Sequence, residues 1–457
     1  MPNPSLFART ATCALCAAFA ATISNVGAST IVRHGQSQAA PATSSTTITS
    51  KQRAALLEQQ TSSSSSSSDV ARRSTAALAG FTDIHDFAGP EGEGPQGALL
   101  QGVSSNLYGE TQQGGTASLG TIYKVGTTAG AAVTTFHSFA GGTADGATPN
   151  GGMRNVIGDV AISGYLYGVT LSGGKSGNGA IFRTDASGKE SLVYSFTGGT
   201  DGGAPAGRLL AFIDGAYYGT TSTGGKYGFG TVYKLNPKTG ALTTLHAFNG
   251  ASDGGSPLAG LSIEINAFSL SGNLYGVTTT GGTLGAGTIY AISTSGTFGT
   301  VYNFANSPDA SAPESELIPD LSGNLYGVAS GGGSAGIGTI FESDANGHES
   351  IVHDFAQDAT GNGPTGGNPF APVSIDYRTG IIYGTASAGG ANALGVVYRL
   401  DPSKPAATNF TLLHQFGGAD GAGPEGKLVV SFDGNLYGTT NFGGANGDGI
   451  VFGLPIQ

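Results

Sequence analysis

Asp433-Gly434-Asn435-Leu436-Tyr437-Gly438-Thr439-Thr440, then Gly443-Gly444, then Gly449-Ile450-Val451-Phe452, is one copy of a pattern that recurs along most of the chain. Working backwards from Tyr437, a tyrosine followed by glycine also stands at Tyr108, Tyr167, Tyr218, Tyr275, Tyr326 and Tyr383. After each of these the sixth and seventh residues are a glycine pair, such as Gly114-Gly115 and Gly224-Gly225. The twelfth is again glycine, and the fifteenth is always aromatic: Tyr123, Phe182, Tyr233, Tyr290, Phe341, Tyr398, Phe452. Offsets held this closely over seven copies define a tandem repeat, and a repeat must be recognised before any local motif is trusted.

Each copy reads as four short strands divided by turn residues. In the last copy, Gly426 to Phe432 is a strand, Asp433-Gly434 a turn, Leu436 to Thr440 the second strand, and Gly449 to Leu454 the third. Internal copies add a fourth, such as Ala241 to Phe248 after the turn Asn236-Pro237-Lys238-Thr239-Gly240. The last copy shows no fourth strand before Gln457, whereas Phe81 to Phe87 carries the fourth-strand pattern with no first three before it. The expectation is an all-β, seven-bladed β-propeller over 81–457, closed by pairing Phe81–Phe87 with Gly449–Leu454, because closure removes exposed sheet edges.

The run around Tyr437 resembles the Gloeo_Verruco (GloVer) repeat of bacterial secreted proteins, and the resemblance covers Phe81 to Gln457. It implies a secreted repeat protein but little about activity, since members of that family mostly carry no assigned biochemical role. They carry varied C-terminal anchors; here the sequence ends at Gln457 directly after the last strand signal, so release into the periplasm or the medium is expected over surface anchoring. Kelch repeats share the double glycine, but tyrosine precedes it here and the chain has no Trp.

Composition narrows the partners. Of 457 residues, 80 are glycine without a three-residue period, which excludes collagen, and 39% are hydrophobic, enough to build a core. The formal charge of −11 with no basic run offers no counterion-release term to hold phosphate, so nucleic acid is excluded as a partner class and an anionic membrane is disfavoured. Cys13 and Cys16 both lie in the N-terminal apolar stretch, so nothing beyond it forms a disulfide, a thiolate metal site or a cysteine nucleophile. That stretch reads as a signal peptide over 1–28: Arg9, an apolar run from Ala11 to Ile23, then the small residues of Val26-Gly27-Ala28. Residues 29–80, with the serine run Ser62 to Ser68, read as a low-complexity flexible linker. The mature chain shows no transmembrane segment, and a secreted or periplasmic monomer is expected.

Several motifs dissolve into the repeat. Gly92 to Gly97, Gly361 to Gly366 and Gly421 to Gly426 match G-x-G-x-x-G, but each holds a proline, and strand-like runs follow the first and third where a phosphate-binding helix should start. Gly332-Gly333-Ser334-Ala335-Gly336 matches a nucleophile elbow, which needs a strand, a strained turn and a helix rather than a glycine loop common to seven units. No cofactor is expected. His85, His137, His246, His353 and His414 each precede a phenylalanine by two residues on the fourth strand, with Tyr194 and Tyr302 in the other two units. A catalytic imidazole should be singular, so these read as packing with a polar tip satisfied by backbone. Asp145, Asp201, Asp253 and Asp420 precede glycine between units, with Asp309 and Asp358 in similar places; Asx-turn capping explains them, and none forms a calcium-loop pattern, so no metal site is expected.

Residues that break the repeat are better candidates for binding than residues that make it. The connections from fourth to first strand and from second to third strand emerge on one face, which with the mouth of the central channel is the expected binding surface. Glu110 replaces Val or Thr, and Arg154, Arg208, Glu316 and Lys427 lie near the starts of first strands, which should line the channel. Tyr227 and Phe442 place aromatic rings in loops that mostly carry small or polar residues. The favoured reading is a non-catalytic binding or scaffolding module for a glycan or a protein at the cell envelope or outside the cell. The alternative is a polysaccharide-degrading enzyme using Glu110 with Glu316, which requires two carboxylates about 5–9.5 Å apart in one cleft; the lack of Trp as a sugar-stacking surface weighs against it.

Overall fold

The computed structural model describes residues 80–102, 105–154, 164–185, 187–265, 270–344, 346–357 and 363–456. The signal peptide of residues 1–28 and the linker up to residue 79 lie outside these residues. Among the described residues there is no helix. Seven small antiparallel sheets make a seven-bladed β-propeller.

Six blades are built in chain order. Blade 1 is Leu100–Gln101, Leu107–Thr111, Thr121–Val125 and Thr134–Ser138, and blade 3 is Gly203–Ala211, Tyr217–Thr223, Thr231–Leu235 and Leu242–Ala247. Blade 7 takes Val429–Val430, Asn435–Thr440 and Ile450–Pro455 from the end of the chain and Thr82–Asp86 from the other end. Thr82 pairs with Gly453, Asp83 with Phe452, His85 with Val451 and Asp86 with Ile450, so the closure expected from the repeat is the closure observed.

The energetics explain why the pattern is periodic. Among the described residues, seven clusters of buried hydrophobic residues are found, and each spans two neighbouring blades: Phe139 and Phe182 join blades 1 and 2, Phe248 and Tyr290 join blades 3 and 4. The seventh joins Ile84, Phe87 and Tyr437 of blade 7 to Leu99, Leu107 and Tyr123 of blade 1. A blade therefore has no apolar core of its own, and burial at about 25 cal/mol per Å² accrues only when neighbours meet. The Tyr-Gly pair follows from the same packing. Gly109 lies opposite Tyr123 across the sheet, and a Cβ there would collide with the tyrosine ring; the aromatic fifteen residues after the anchor lies over the glycine that follows it.

First and second strands are buried, whereas fourth strands are half-exposed, as in Glu190–Ser195. The fourth strands thus form the outer edge and the first strands face the axis. The bridge between Glu93 and Gln113 ties a fourth-to-first connection to a second-to-third loop, which puts both on one face.

Candidate functional site

Three of the repeat-breaking residues converge on the axis, with a fourth close by. Arg154 of blade 2 and Arg208 of blade 3 reach Glu316 of blade 5, with Arg154 Nη2 3.6 Å from Oε1 and Arg208 Nη2 3.4 Å from Oε2. All three are buried, as is Lys427 of blade 7, whose charge also acts on Glu316. Residues from non-adjacent blades can meet only near the axis of a ring. Burial pushes the Glu316 carboxyl up, but Arg208, Lys427 and Arg154 outweigh it and hold Glu316 below the ordinary range. Burial pulls Lys427 down to about 7 and Arg154 down to about 9, each against the opposing pull of Glu316.

Sequence reasoning missed a second layer nearer the loop face. Gln96, Glu314 and Glu425 each follow the proline that opens a first strand, two residues before the position that holds Glu316 and Lys427. Gln96 Nε2 donates to Glu425 Oε2 at 2.6 Å, and Ser330 Oγ donates to Glu314 Oε1 at 3.2 Å. Burial raises both carboxyls to about 7, and the charge of Glu314 contributes to the rise at Glu425. Aligning the residue after each first-strand proline would have found them, since the other units carry Asn150, Ala206, Leu258 and Phe370 there.

Glu110 does not join this cluster. It is buried beside blade 2, where Oε2 accepts the Gly152 N–H at 3.1 Å, and burial raises its carboxyl to about 8. Glu110 is thus held by a backbone N–H of blade 2, whereas Glu316 is held by two arginines. Tyr227 and Phe442 are exposed on the loop face, with Lys226 Nζ 4.9 Å from the centre of the Tyr227 ring. Ser334 is exposed in its loop and its backbone N–H donates to Asp354, with no helix after it.

The histidines belong to the outer edge, where His85 meets a backbone carbonyl as expected and His137, His246 and His414 meet a carboxylate instead. His137 Nε2 lies 3.1 Å from Asp145 Oδ2, His246 Nε2 3.0 Å from Asp253 Oδ2, and His414 Nε2 2.8 Å from Asp420 Oδ2. Tyr194 donates to Asp201 and Tyr302 to Asp309, both at 3.0 Å, while His85 meets Glu91 through Nε2 and the Ala131 carbonyl through Nδ1. Asp358 lies outside the described residues. The same aspartates accept backbone N–H groups, as Asp253 does from Asn249, so each one fastens the connection to the next blade. The spacing of six to eight residues between each ring and its acid was readable, but the Asx-turn reading already accounted for the acid.

The family model described as the Gloeobacter/Verrucomicrobia repeat matches residues 54–268, 161–367 and 359–457. No curated protein matches the chain. Among solved structures, the extracellular domain of a one-component system from B. thetaiotaomicron is similar at TM-score 0.50 and 10% identity, over 82% of this chain and 40% of that one. An oligogalacturonate lyase in complex with manganese aligns at TM-score 0.49 and 12% identity, over 84% of this chain and 95% of that one. A gluconolactonase from Xanthomonas campestris aligns at TM-score 0.37 and 14% identity, over 66% and 85%. At such identities the likeness speaks to the fold alone.

Proposed function

The chain belongs to the Gloeobacter/Verrucomicrobia repeat family, and on that premise we propose that it is an exported, non-catalytic binding propeller that takes a glycan or a protein segment on its loop face, over the mouth of the central channel. One observation carries this reading: Gln96, Glu314 and Glu425 depart from the repeat and meet where first strands begin, and Tyr227 and Phe442 are exposed in loops of the same face. Carboxylates with pKa values near 7 and an amide supply hydrogen bonds to hydroxyls or amides, and exposed rings supply stacking faces. The buried Arg154, Arg208, Glu316 and Lys427 then hold the blades in register beneath the ligand. An export signal over residues 1–28 accords with a ligand at the envelope or outside the cell.

The test is retention of envelope glycans and surface proteins by the purified chain, compared with Tyr227→Ser and Glu425→Gln variants. Selective retention that weakens about tenfold or more in one of these variants is expected, the scale of a lost stacking face or charged hydrogen bond. Retention of no surface polymer or protein, or retention indifferent to both substitutions, overturns the reading.

A further inference from the structure

We propose that His137, Asp145 and Glu190 form a divalent-cation site on the outer edge between blades 1 and 2, suited to Zn²⁺ or Mn²⁺. One donor atom from each lies within 4.8 Å of the others, and all three side chains are half-buried. The site is separate from the loop face and the channel, and does not rest on the function proposed for them.

The repeat itself shows that the fold does not require Glu190. The residue four before each edge histidine or tyrosine packs towards the ring of the preceding blade. Phe298 stacks on His246 at 3.8 Å between centroids, Phe410 on His353 at 3.8 Å, and Phe81 on His414 at 3.9 Å. Val133 and Leu242 occupy the same position elsewhere. An apolar cap is thus the ordinary solution, and Glu190 puts a carboxylate over a half-buried imidazole instead. Its Oε1 is buried and accepts no hydrogen bond among the described residues.

The other two donors are held in place. Asp145 accepts the Ala140 and Gly146 N–H groups, each at 2.7 Å, and faces His137 Nε2 with both oxygens. One imidazole with two carboxylates is a mixed donor set: the imidazole favours Zn²⁺ over Mg²⁺ or Ca²⁺, the carboxylates accept Mn²⁺, and the lack of sulfur disfavours Cu⁺. An ion at about 2.1 Å sets its ligands roughly 3–4 Å apart, so a modest inward turn of the side chains completes the set. Nε2, the ring nitrogen that faces Asp145, would be the ligand atom of His137. Burial, followed by the charge of Asp145, raises the Glu190 carboxyl to about 7, and a bound cation would relieve both.

Blades 4 and 5 contain the control. There Glu349 stands over Tyr302 and Asp309, the same frame with a phenol in place of the imidazole. The experiment strips the full-length chain with chelator and titrates it with Zn²⁺ and with Mn²⁺, reading stoichiometry by calorimetry and the melting temperature in parallel. One ion per chain is expected. Glu190→Leu and His137→Tyr each install a residue that another blade uses at that position, so folding is retained. Each should weaken binding by about 100-fold, given that even outer partners of a metal ligand are worth about 10–100-fold. Glu349→Leu should leave binding unchanged. Absence of binding to the stripped protein, or binding that survives both Glu190→Leu and His137→Tyr, overturns the proposal.

Discussion

The outer edge and the axis of this ring hold their polar groups in opposite ways. At the edge, one device is repeated: a fourth-strand histidine or tyrosine bonded to an acid six to eight residues later, as in His246 with Asp253 and Tyr302 with Asp309. At the axis, nothing repeats. Arg154 and Arg208 converge on Glu316 from positions more than a hundred residues away, with Lys427 near them. The edge serves folding, because each copy ties a blade to the connection that starts the next. The axial residues differ from blade to blade, and residues outside the repeat are where a function distinct from the fold can reside.

Glu316 tests that contrast most strongly. Glu316→Gln leaves two buried arginines and Lys427 near one another without their carboxylate, and removing one partner of a buried pair costs roughly 3–5 kcal/mol. The measurement is denaturant unfolding, and a loss below about 1 kcal/mol would show the cluster to be far better solvated than its burial implies.

Glu110 is singular too, but its carboxylate is bonded to the Gly152 N–H, and it sharpens the comparison through pH. Its folded carboxyl is raised to about 8 from 4.5, so the folded state binds more protons than the unfolded state between those values. Its contribution is complete below pH 4.5 and is lost as pH rises through about 8, at up to about 1.4 kcal/mol per pH unit. Glu110→Gln should therefore match the parent near pH 4.5 and become the more stable protein towards pH 8, read as melting temperature against pH. Parallel profiles for the two would remove the buried acid as the source.

The smallest effect belongs to the repeated device. Asp253→Ala strips His246 and the Asn249 N–H of their acceptor and should cost about 1–3 kcal/mol. Burial already lowers the His246 pKa while Asp253 raises it, so the variant should show a further fall by NMR titration. An unchanged or higher value would mean that the carboxylate does not act on the ring.

Most of the fold was legible because its cause is local and recurs seven times. The anchor tyrosine, the glycine after it and the later aromatic are tied by one cross-strand contact, so their spacing is preserved in every copy, and the orphan strand at Phe81–Phe87 indicated how the ring closes. The site was legible only in outline. Arg154, Arg208, Glu316 and Lys427 were recognisable as departures from the pattern, but their meeting depends on the axis, and Glu110 looked equally suitable until its neighbours were seen. Glu314 and Glu425 escaped notice because a glutamate beside a proline at a strand entrance has no distinguishing local signal.

The amino-acid sequence by itself determined the number of blades, the strand order and the point of closure, since each follows from periodicity and short-range packing. Tertiary structure alone decided which charges share the axis and that Glu190 faces the histidine of the preceding blade. Those pairings join residues far apart or on different blades, and their energies exist only once the ring has brought the low-dielectric surfaces together.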